Sequence, residues 1–197
     1  MSILIARAKR GVRPQRRFPS PAAQAGPLQL AAPLQLHVFQ SELGWMAALG
    51  REGSLVQLVI GCESPVAAVA RLDARWTNAA EEARWCASLA RRLQAYAAGS
   101  TVSFDDVPVE IQDRTSFQVR VLECCRNIGR GQTISYGELA RLAGRPGAAR
   151  AVGNVMAGNR CPLVIPCHRV VHADGRIGRF SAPQGARLKR RLLELEC

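Results

Sequence analysis

The apolar and polar positions near the start of the chain predict a small sheet. Three short apolar runs are separated by turns that contain glycine, which is the usual pattern of strands joined by tight connections. The runs occupy residues 37–39, 45–48 and 55–60. We expect each of them to form a short strand.

A helical spacing follows these strands. Small and apolar residues recur every three or four positions over residues 79–97, which predicts a helix that buries one face. These positions are Ala83, Cys86, Ala90, Leu93 and Ala97. Asn78 can cap this helix, and Glu81 and Glu82 would lie in its positive first turn. Strands and helix together predict an α/β N-terminal domain, a small sheet plus a helix, over residues 37–112.

The rest of the chain, residues 113–197, predicts a mainly α domain. Thr115 or Ser116 can cap a first helix, and Ser135 can cap a second, with Glu138 at the capping-box position. The predicted helices begin near residue 116 and span residues 136–143, 148–157 and 185–196. Two short helices joined by a glycine-containing turn predict a helix-turn-helix of the winged-helix kind at residues 136–157, although the same pattern fits two helices that only pack together. The apolar run at residues 162–165 predicts a short buried strand.

Charge is distributed unevenly along the chain. The net charge is +12, of which +6 lies in residues 1–36, −2 in residues 37–140 and +8 in residues 141–197. The first 36 residues have six basic side chains and no acidic one, and they turn rich in proline, alanine and glutamine, so we expect a disordered basic tail rather than an import signal. The basic C-terminal part favours a polyanion such as nucleic acid, or else a solvated surface.

Composition limits the class of protein further. Hydrophobic residues make up 48% and charged residues 21%, and no apolar run approaches the length of about 20 residues that spans a membrane. The seven cysteines are odd in number, and no secretory signal precedes them. We therefore expect reduced thiols in a cytoplasmic protein, or a nuclear one in a eukaryote.

The candidate chemistry lies in the stretch Pro166-Cys167-His168-Arg169-Val170. A thiolate is the reactive form of cysteine, and an adjacent imidazole or cation favours it. Such a pair alone is also compatible with a buried structural thiol beside a histidine. The helix predicted at residues 148–157 strengthens the reactive alternative: its side chains are nearly all small, so its backbone can approach DNA closely, and Arg150 is the one cation that projects from it.

These segments together resemble a known family. The order and spacing match the O6-alkylguanine-DNA alkyltransferases, also called methylated-DNA–protein-cysteine methyltransferases, from about Phe117 to Glu196. The segments that carry the resemblance are Ile134-Ser135-Tyr136, Ala148-Ala149-Arg150-Ala151-Val152-Gly153, Gly158-Asn159 and Ile165-Pro166-Cys167-His168-Arg169-Val170-Val171. The resemblance implies repair of double-stranded DNA that contains O6-alkylguanine, or O4-alkylthymine, by one monomer that acts once and needs no cofactor.

The resemblance also implies roles for individual residues. Cys167 would take the alkyl group, His168 its proton, and Glu196 would orient the histidine, unless Glu196 belongs to a frayed terminus. Tyr136 would assist the departing guanine, and Arg150 would enter the duplex from the minor groove and replace the flipped base. The remaining implied contacts are to DNA for Ser135, Ala149, Ala151 and Gly153, and to the substrate pocket for Met156, Asn159, Pro162, Val170, Phe180 and Ser181.

The chain departs from the family pattern after Gly178. The usual Asn/Gly-Tyr-Ser-Gly-Gly segment reads Arg179-Phe180-Ser181-Ala182-Pro183 here, which changes one wall of the expected pocket. Some relatives also bind zinc through N-terminal cysteine and histidine. His37 is the only histidine before Cys167, so we expect no metal there.

Four alternatives remain at this stage. A lesion-binding relative without catalysis would lack the reactive cysteine, and a helix-turn-helix regulator would leave Cys167 and His168 without a function. A zinc site would draw on Cys161, Cys167, His168 and His172. A cysteine hydrolase would need an oxyanion hole, for which the sequence gives no signature.

Overall fold

The computed structural model of the protein describes residues 32–77, 80–111 and 113–197, which form two units, 32–111 and 113–197. The predicted basic tail lies outside the described residues as far as residue 31. Gln35 and Leu36 already belong to the first strand, so the fold begins before the predicted boundary at residue 37.

The first unit contains the predicted strands. They are β1 (Gln35–Ser41), β2 (Gly44–Arg51) and β3 (Ser54–Cys62), which pair as antiparallel neighbours with Val38 opposite Ala47 and Ala48 opposite Leu58. A two-residue strand, β4 (Glu81–Glu82), adds to β1 in parallel and gives the strand order β3-β2-β1-β4.

The helices of this unit differ from the prediction. The chain forms α1 (Pro65–Ala70), α2 (Ala74–Thr77) and α3 (Ala87–Ala97). The predicted start at residue 79 is wrong, because Glu81 and Glu82 are strand residues; the predicted cap, Asn78, lies outside the described residues. The buried face of α3 includes Leu93 and Ala97, as its spacing indicated. His37 Nδ1 lies 3.3 Å from Cys86 Sγ in this unit, but burial raises the pKa of Cys86 to about 12, so this thiol stays protonated.

The second unit is built mainly from helices, as predicted. They are α4 (Ser116–Arg126), α5 (Tyr136–Leu142), α6 (Ala149–Ala157) and α7 (Ala186–Glu194). Thr115 caps α4 in a reciprocal capping box with Gln118. The hydroxyl of Ser135 accepts from the N–H of Glu138 at 3.1 Å and caps α5, but Glu138 is exposed and makes no return bond among the described hydrogen bonds.

A short parallel pair of strands positions the candidate site. Strand β5 (Ile134–Ser135) leads directly into α5, and β6 (Val170–Val171) directly follows a 3₁₀ turn, Cys167–Arg169. Ile134 lies opposite Val170, so the pairing brings the first residue of α5 to the 3₁₀ turn.

The strand predicted for residues 162–165 is wrong. These residues form a buried turn in which Leu163 adopts a φ of 68°. A left-handed backbone cannot continue a strand, and it is unusual for a residue other than glycine. Within the described residues, no helix is long and apolar enough to cross a membrane.

Candidate active site

Cys167 lies at the start of the 3₁₀ turn and is buried, with 3% of its surface exposed. The side-chain amide of Asn159 donates to its Sγ atom at 3.1 Å and to the carbonyl of Ile165 at 2.8 Å. The Oδ1 atom of Asn159 accepts from the N–H of Cys161 at 3.1 Å. Asn159 therefore ties the end of α6 to the turn that carries the thiol.

His168 and Glu196 form a buried pair beside the thiol. His168 Nε2 lies 3.0 Å from Glu196 Oε1, and neither side chain is more than 1% exposed. Arg169 donates to both carboxylate oxygens, from Nε at 2.9 Å and from Nη2 at 2.7 Å. The carboxylate thus has a planar two-bond partner on one side and the imidazole on the other.

Backbone contacts hold the end of the chain at this pair. Arg169 Nη1 donates to the carbonyl of Ile128 at 2.5 Å, and Arg130 Nη2 donates to that of Leu195 at 2.5 Å. The N–H of Gly131 lies 3.3 Å from Glu196 Oε2. Glu196 is consequently a fixed, buried residue and not part of a frayed terminus.

Lys189 is a buried cation at the same site. It projects from α7, is 1% exposed, and donates to the carbonyl of Val170 at 2.6 Å. Its Nζ atom lies 5.8 Å from the centre of the Tyr136 ring, which is within the range of a cation–π contact. Within the described residues no salt bridge joins Lys189 to a carboxylate. Its positive charge therefore acts on the groups around Cys167.

Tyr136 opens α5 and packs against the loop that follows β6. Its ring centre lies 5.4 Å from that of His172. A Cβ atom at Gly178 would overlap the hydroxyl of Tyr136 and lie 3.3 Å from His172 Nε2. The loop backbone passes so close to the Tyr136 hydroxyl that only glycine fits at position 178.

Burial and hydrogen bonding set the protonation states of the site. Burial raises the pKa of the Cys167 thiol, although the Asn159 hydrogen bond and the Lys189 charge act in the opposite direction. Burial lowers the pKa of His168 against the effect of Glu196. Burial alone would raise the pKa of Glu196, but the bonds from His168 and Arg169 outweigh it and hold that pKa well below its usual range.

At neutral pH the resting site therefore contains a thiol, a neutral imidazole and a carboxylate. Because the carboxylate only accepts hydrogen bonds, the His168 proton is assigned to Nε2, and Nδ1 is the acceptor nitrogen of the ring. The thiol needs a base before it can attack, and the neutral imidazole is the adjacent group able to accept a proton.

The other predicted site residues divide into three groups. On α6, Arg150 and Ala151 are exposed and Ala149 and Gly153 are half-buried, while Met156 faces the core. Val170 is buried and accepts from Lys189, and Pro162 is half-buried. Phe180 is half-buried and Ser181 is exposed, and no described hydrogen bond or ring contact joins either to Cys167.

The sequence analysis missed two members of this site. For Arg169 the only signal in the sequence is its position next to His168. Lys189 directly follows Leu188, which belongs to the apolar stripe of α7, and this position could have indicated burial. No group of three or more histidine, cysteine, aspartate or glutamate side chains in the described parts of the chain could hold a metal ion. The zinc alternative therefore has no ligand set there.

A buried thiol, a neutral imidazole and an ionised carboxylate, carried by a unit of short helices, are the groups that proteins with a cysteine nucleophile use. Comparison with known proteins narrows this class. The family profile described as "6-O-methylguanine DNA methyltransferase, DNA binding domain" matches residues 116–197.

Relatives in sequence and in structure agree with this match. The methylated-DNA–protein-cysteine methyltransferase of Methanopyrus kandleri is 45% identical over 126 residues, which cover 64% of this chain and 91% of that protein. The Mycobacterium tuberculosis protein of the same name is 45% identical over 106 residues, 53% of this chain, which spans about three fifths (61%) of the relative's length.

Solved structures extend the similarity beyond these segments. The M. tuberculosis O6-methylguanine methyltransferase superposes with a TM-score of 0.70 at 31% identity, and the match covers 83% of this chain and 92% of that one. The structure of M. tuberculosis OGT in complex with DNA gives a TM-score of 0.68 at 33% identity and covers 82% and 92%. The chain belongs to the methylated-DNA–protein-cysteine methyltransferase family.

Proposed function

We propose that the protein repairs DNA by moving a methyl or other alkyl group from O6 of guanine, or from O4 of thymine, to Cys167. Each molecule would act once, because a thioether is not hydrolysed. In enzyme terms the protein is a methylated-DNA–[protein]-cysteine S-methyltransferase. The observation that carries this proposal is the buried Cys167 Sγ, bonded to Asn159 and flanked by the His168–Glu196 pair, in a chain of this family.

The chemistry follows from the groups at the site. His168 takes the thiol proton, through a water, and the sulfur attacks the alkyl carbon. A sulfur–carbon bond forms and the carbon–O6 bond breaks, with its electron pair left on guanine. Tyr136 gives a proton to the departing base, and the proton held on His168 restores the tyrosine. No cofactor enters this balance.

The charges around the sulfur assist this step. Asn159 and Lys189 stabilise negative charge on Cys167, and Glu196 stabilises the positive charge that His168 gains. Because burial disfavours a free thiolate, the anion forms when a substrate is present to consume it. This restricts the reactivity of the thiol towards other electrophiles.

Access to the thiol requires the base to leave the helix. Residues 113–197 would be the DNA-binding and alkyltransferase domain, with α5 and α6 as a winged-helix-like helix-turn-helix that binds through the minor groove. Exposed Arg150 would replace the flipped base. Ser135, Ala149, Ala151 and Gly153 would lie close to the DNA backbone, and Met156, Asn159, Pro162, Val170, Phe180 and Ser181 would surround the guanine.

The remaining expectations concern the whole protein. We expect it to act as a monomer, in the cytoplasm, or in the nucleus of a eukaryote. All seven cysteines are free in the structure.

Transfer of a label tests the proposal. The full chain is incubated with duplex DNA that carries O6-methylguanine labelled in its methyl group, and the label on protein and DNA is counted. We expect one label per active molecule and none with Cys167→Ala. Repeated turnover would indicate a hydrolase, and tight lesion binding without transfer would indicate a lesion-binding protein. Sequence-specific binding to undamaged DNA without transfer would indicate a regulator.

A further inference from the structure

Arg114 makes an unexpected contact with the end of α6. It lies one residue before the cap of α4, and its Nη2 atom donates to the carbonyl of Gly158, 44 residues later in the chain. The Arg114 side chain is partly buried, and Arg160 lies near enough to repel it. Burial and the charge of Arg160 lower the pKa of Arg114 against the effect of Asp113, so the contact holds a guanidinium where burial makes its charge costly.

The acceptor is the C-terminal cap of a helix. The last carbonyls of a helix have no partner within the helix and carry partial negative charge, so a cation that donates there is stabilising. Gly158 is the cap residue of α6. A Cβ atom at Gly158 would lie 3.3 Å from Nη1 and 3.5 Å from Nη2 of Arg114, so the glycine permits this close seating.

The Gly158 carbonyl also fixes the orientation of the Asn159 backbone. The Gly158 carbonyl and the Asn159 N–H share one planar peptide unit, so a bond that fixes the first also orients the second. That N–H donates to the carbonyl of Met156 at 3.2 Å. The Asn159 side chain then reaches Cys167 Sγ at 3.1 Å. A continuous set of contacts thus links Arg114 to the nucleophile.

We propose that Arg114 is a positioning residue for Cys167, acting through the Gly158–Asn159 peptide and the hydrogen bond of Asn159 to the thiol. Its effect on alkyl transfer rests on the proposed function, but its effect on the thiol does not. Arg114 touches neither the sulfur nor the expected substrate, and it lies where the chain enters the second unit.

The first test follows the thiol without DNA. Alkylation of Cys167 by iodoacetamide is measured against pH by peptide mass mapping in the full chain. Since the Asn159 bond stabilises the thiolate, Arg114→Ala should move the midpoint upward by about half a pH unit. Lys189, Cys125 and Tyr136 also act electrostatically on Cys167 and are unchanged in this variant.

A double variant shows whether Asn159 mediates the effect. Asn159→Ala should raise the midpoint at least as far as Arg114→Ala, and adding Arg114→Ala to it should cause no further shift. Arg114→Lys should retain most of the original midpoint, because an ammonium can still donate to the Gly158 carbonyl. Arg120→Ala, which removes an arginine that pairs loosely with Glu123 at 3.9 Å, is the matched control and should change nothing.

The second test uses single-turnover transfer from O6-methylguanine duplex. Arg114→Ala should lower the rate constant at saturating DNA about fivefold and leave the half-saturating concentration within about twofold. Weaker DNA binding at an unchanged rate would make Arg114 a phosphate contact and overturn the proposal. A lower melting temperature with unchanged midpoint and rate, or additive shifts in the double variant, would also overturn it. Wild-type protein that alkylates but never transfers would refute the proposed function alone.

Discussion

Several residues at this site carry charges that are buried and therefore lose hydration, and Lys189 is the clearest example. An ammonium on an apolar helix face loses its hydration, and burial lowers its pKa, while the charges of Cys167 and Cys125 would raise it. Such a group is retained only if the cation does something that an apolar side chain cannot. Here it can stabilise negative charge on the sulfur.

Replacing Lys189 with methionine tests this role. We expect Lys189→Met to slow alkyl transfer at pH 7 about tenfold and to move the rate–pH profile upward by about one unit, since one pKa unit corresponds to a tenfold change in thiolate. The variant should remain folded, because an apolar residue of similar length suits the buried position. Single-turnover rates from pH 6 to 9 provide the measurement.

The neighbouring residue Arg190 offers the control. It lies next to Lys189 on α7 but is exposed. Arg190→Met should leave both the rate and its pH profile unchanged. A Lys189→Met profile that overlays the wild-type one would show that Lys189 serves packing alone.

Glu196 and His168 should make the free energy of unfolding fall as the pH falls. The His168 pKa is lowered in the fold, so the unfolded chain binds a proton first as pH falls below about 6.5. The Glu196 pKa is also lowered, so the unfolded carboxyl is protonated first below about 4.3. Both groups bind more protons in the unfolded chain, and stability must fall as the pH drops through this range.

The expected size of the Glu196 contribution is on the order of 2 kcal/mol between pH 7 and pH 3. Urea unfolding across this range should show a shallower pH dependence in Glu196→Gln than in the wild type. Glu194→Gln, at an exposed position one turn from the end, should follow the wild type. Parallel curves for Glu196→Gln and wild type would contradict the low pKa of Glu196.

At the scale of elements, the caps fix where the helices begin. Thr115 accepts from the N–H of Gln118 at 3.3 Å, and the Gln118 side chain accepts from the N–H of Thr115 at 2.9 Å. Two amide donors at the start of α4 are satisfied in this way, next to Arg114. Helix α4 supplies buried Val121, Leu122 and Cys125 to the second unit.

Loss of this cap should destabilise the second unit. Thr115→Ala should lower the free energy of unfolding by about 1 kcal/mol, the usual value of an N-cap. Denaturant titration of the full chain measures it, with Ser116→Ala as the control. Ser116 is the first helical residue, where alanine is well tolerated, so the control should cost little. Equal losses in both variants would argue against the capping box.

The elements also show where sequence reasoning was sufficient. The strands at residues 35–62 and the helices α5, α6 and α7 were predictable, because alternation, caps and apolar stripes are local signals. The start of α3 was not, because pairing of Glu81 with Gln35 depends on a strand 46 residues earlier in the chain. The strand predicted at residues 162–165 failed for another reason: Leu163 adopts a left-handed backbone, and the N–H of Ile165 donates to the carbonyl of Cys161 at 2.8 Å and closes a turn there.

The residues of the candidate site also differ in whether the sequence alone could identify them. Cys167, His168 and Glu196 could be predicted from their residue types and from the family resemblance, whereas the sequence signal was weak for Lys189 and absent for Arg114. A lysine or arginine in a sequence usually indicates a solvated surface. Only the packing of α7 places Lys189 at the site, and only the contact with the end of α6 leads us to propose that Arg114 positions Cys167.

At the scale of the whole molecule, the two units differ in charge. Residues 113–197 contain 15 arginine and lysine side chains against six acids, and residues 32–111 contain six against nine. The first unit also engages several of its arginines in ion pairs, such as Arg51 with Glu110 at 2.6 Å and Arg92 with Asp106 at 2.8 Å. We expect DNA to bind the second unit and to do so less tightly at high salt.

Arg150 should matter only when the substrate lies within a duplex. Arg150→Ala should slow transfer from O6-methylguanine duplex at least tenfold and leave reaction with free O6-benzylguanine within about twofold, because only the duplex base must be flipped. Arg92→Ala, in the first unit, should alter neither reaction. Equal losses with both substrates would remove the flipping role from Arg150.

The central claim is that Cys167 is the alkyl acceptor, and locating the transferred group tests it most directly. The full chain is treated with excess O6-methylguanine duplex, digested and mapped by mass spectrometry. We predict one methyl group on the peptide that contains Cys167, and none on exposed Cys197 or on the other five cysteines. A methyl group on another cysteine, or an unmodified Cys167 after the lesion has been repaired, would contradict the account.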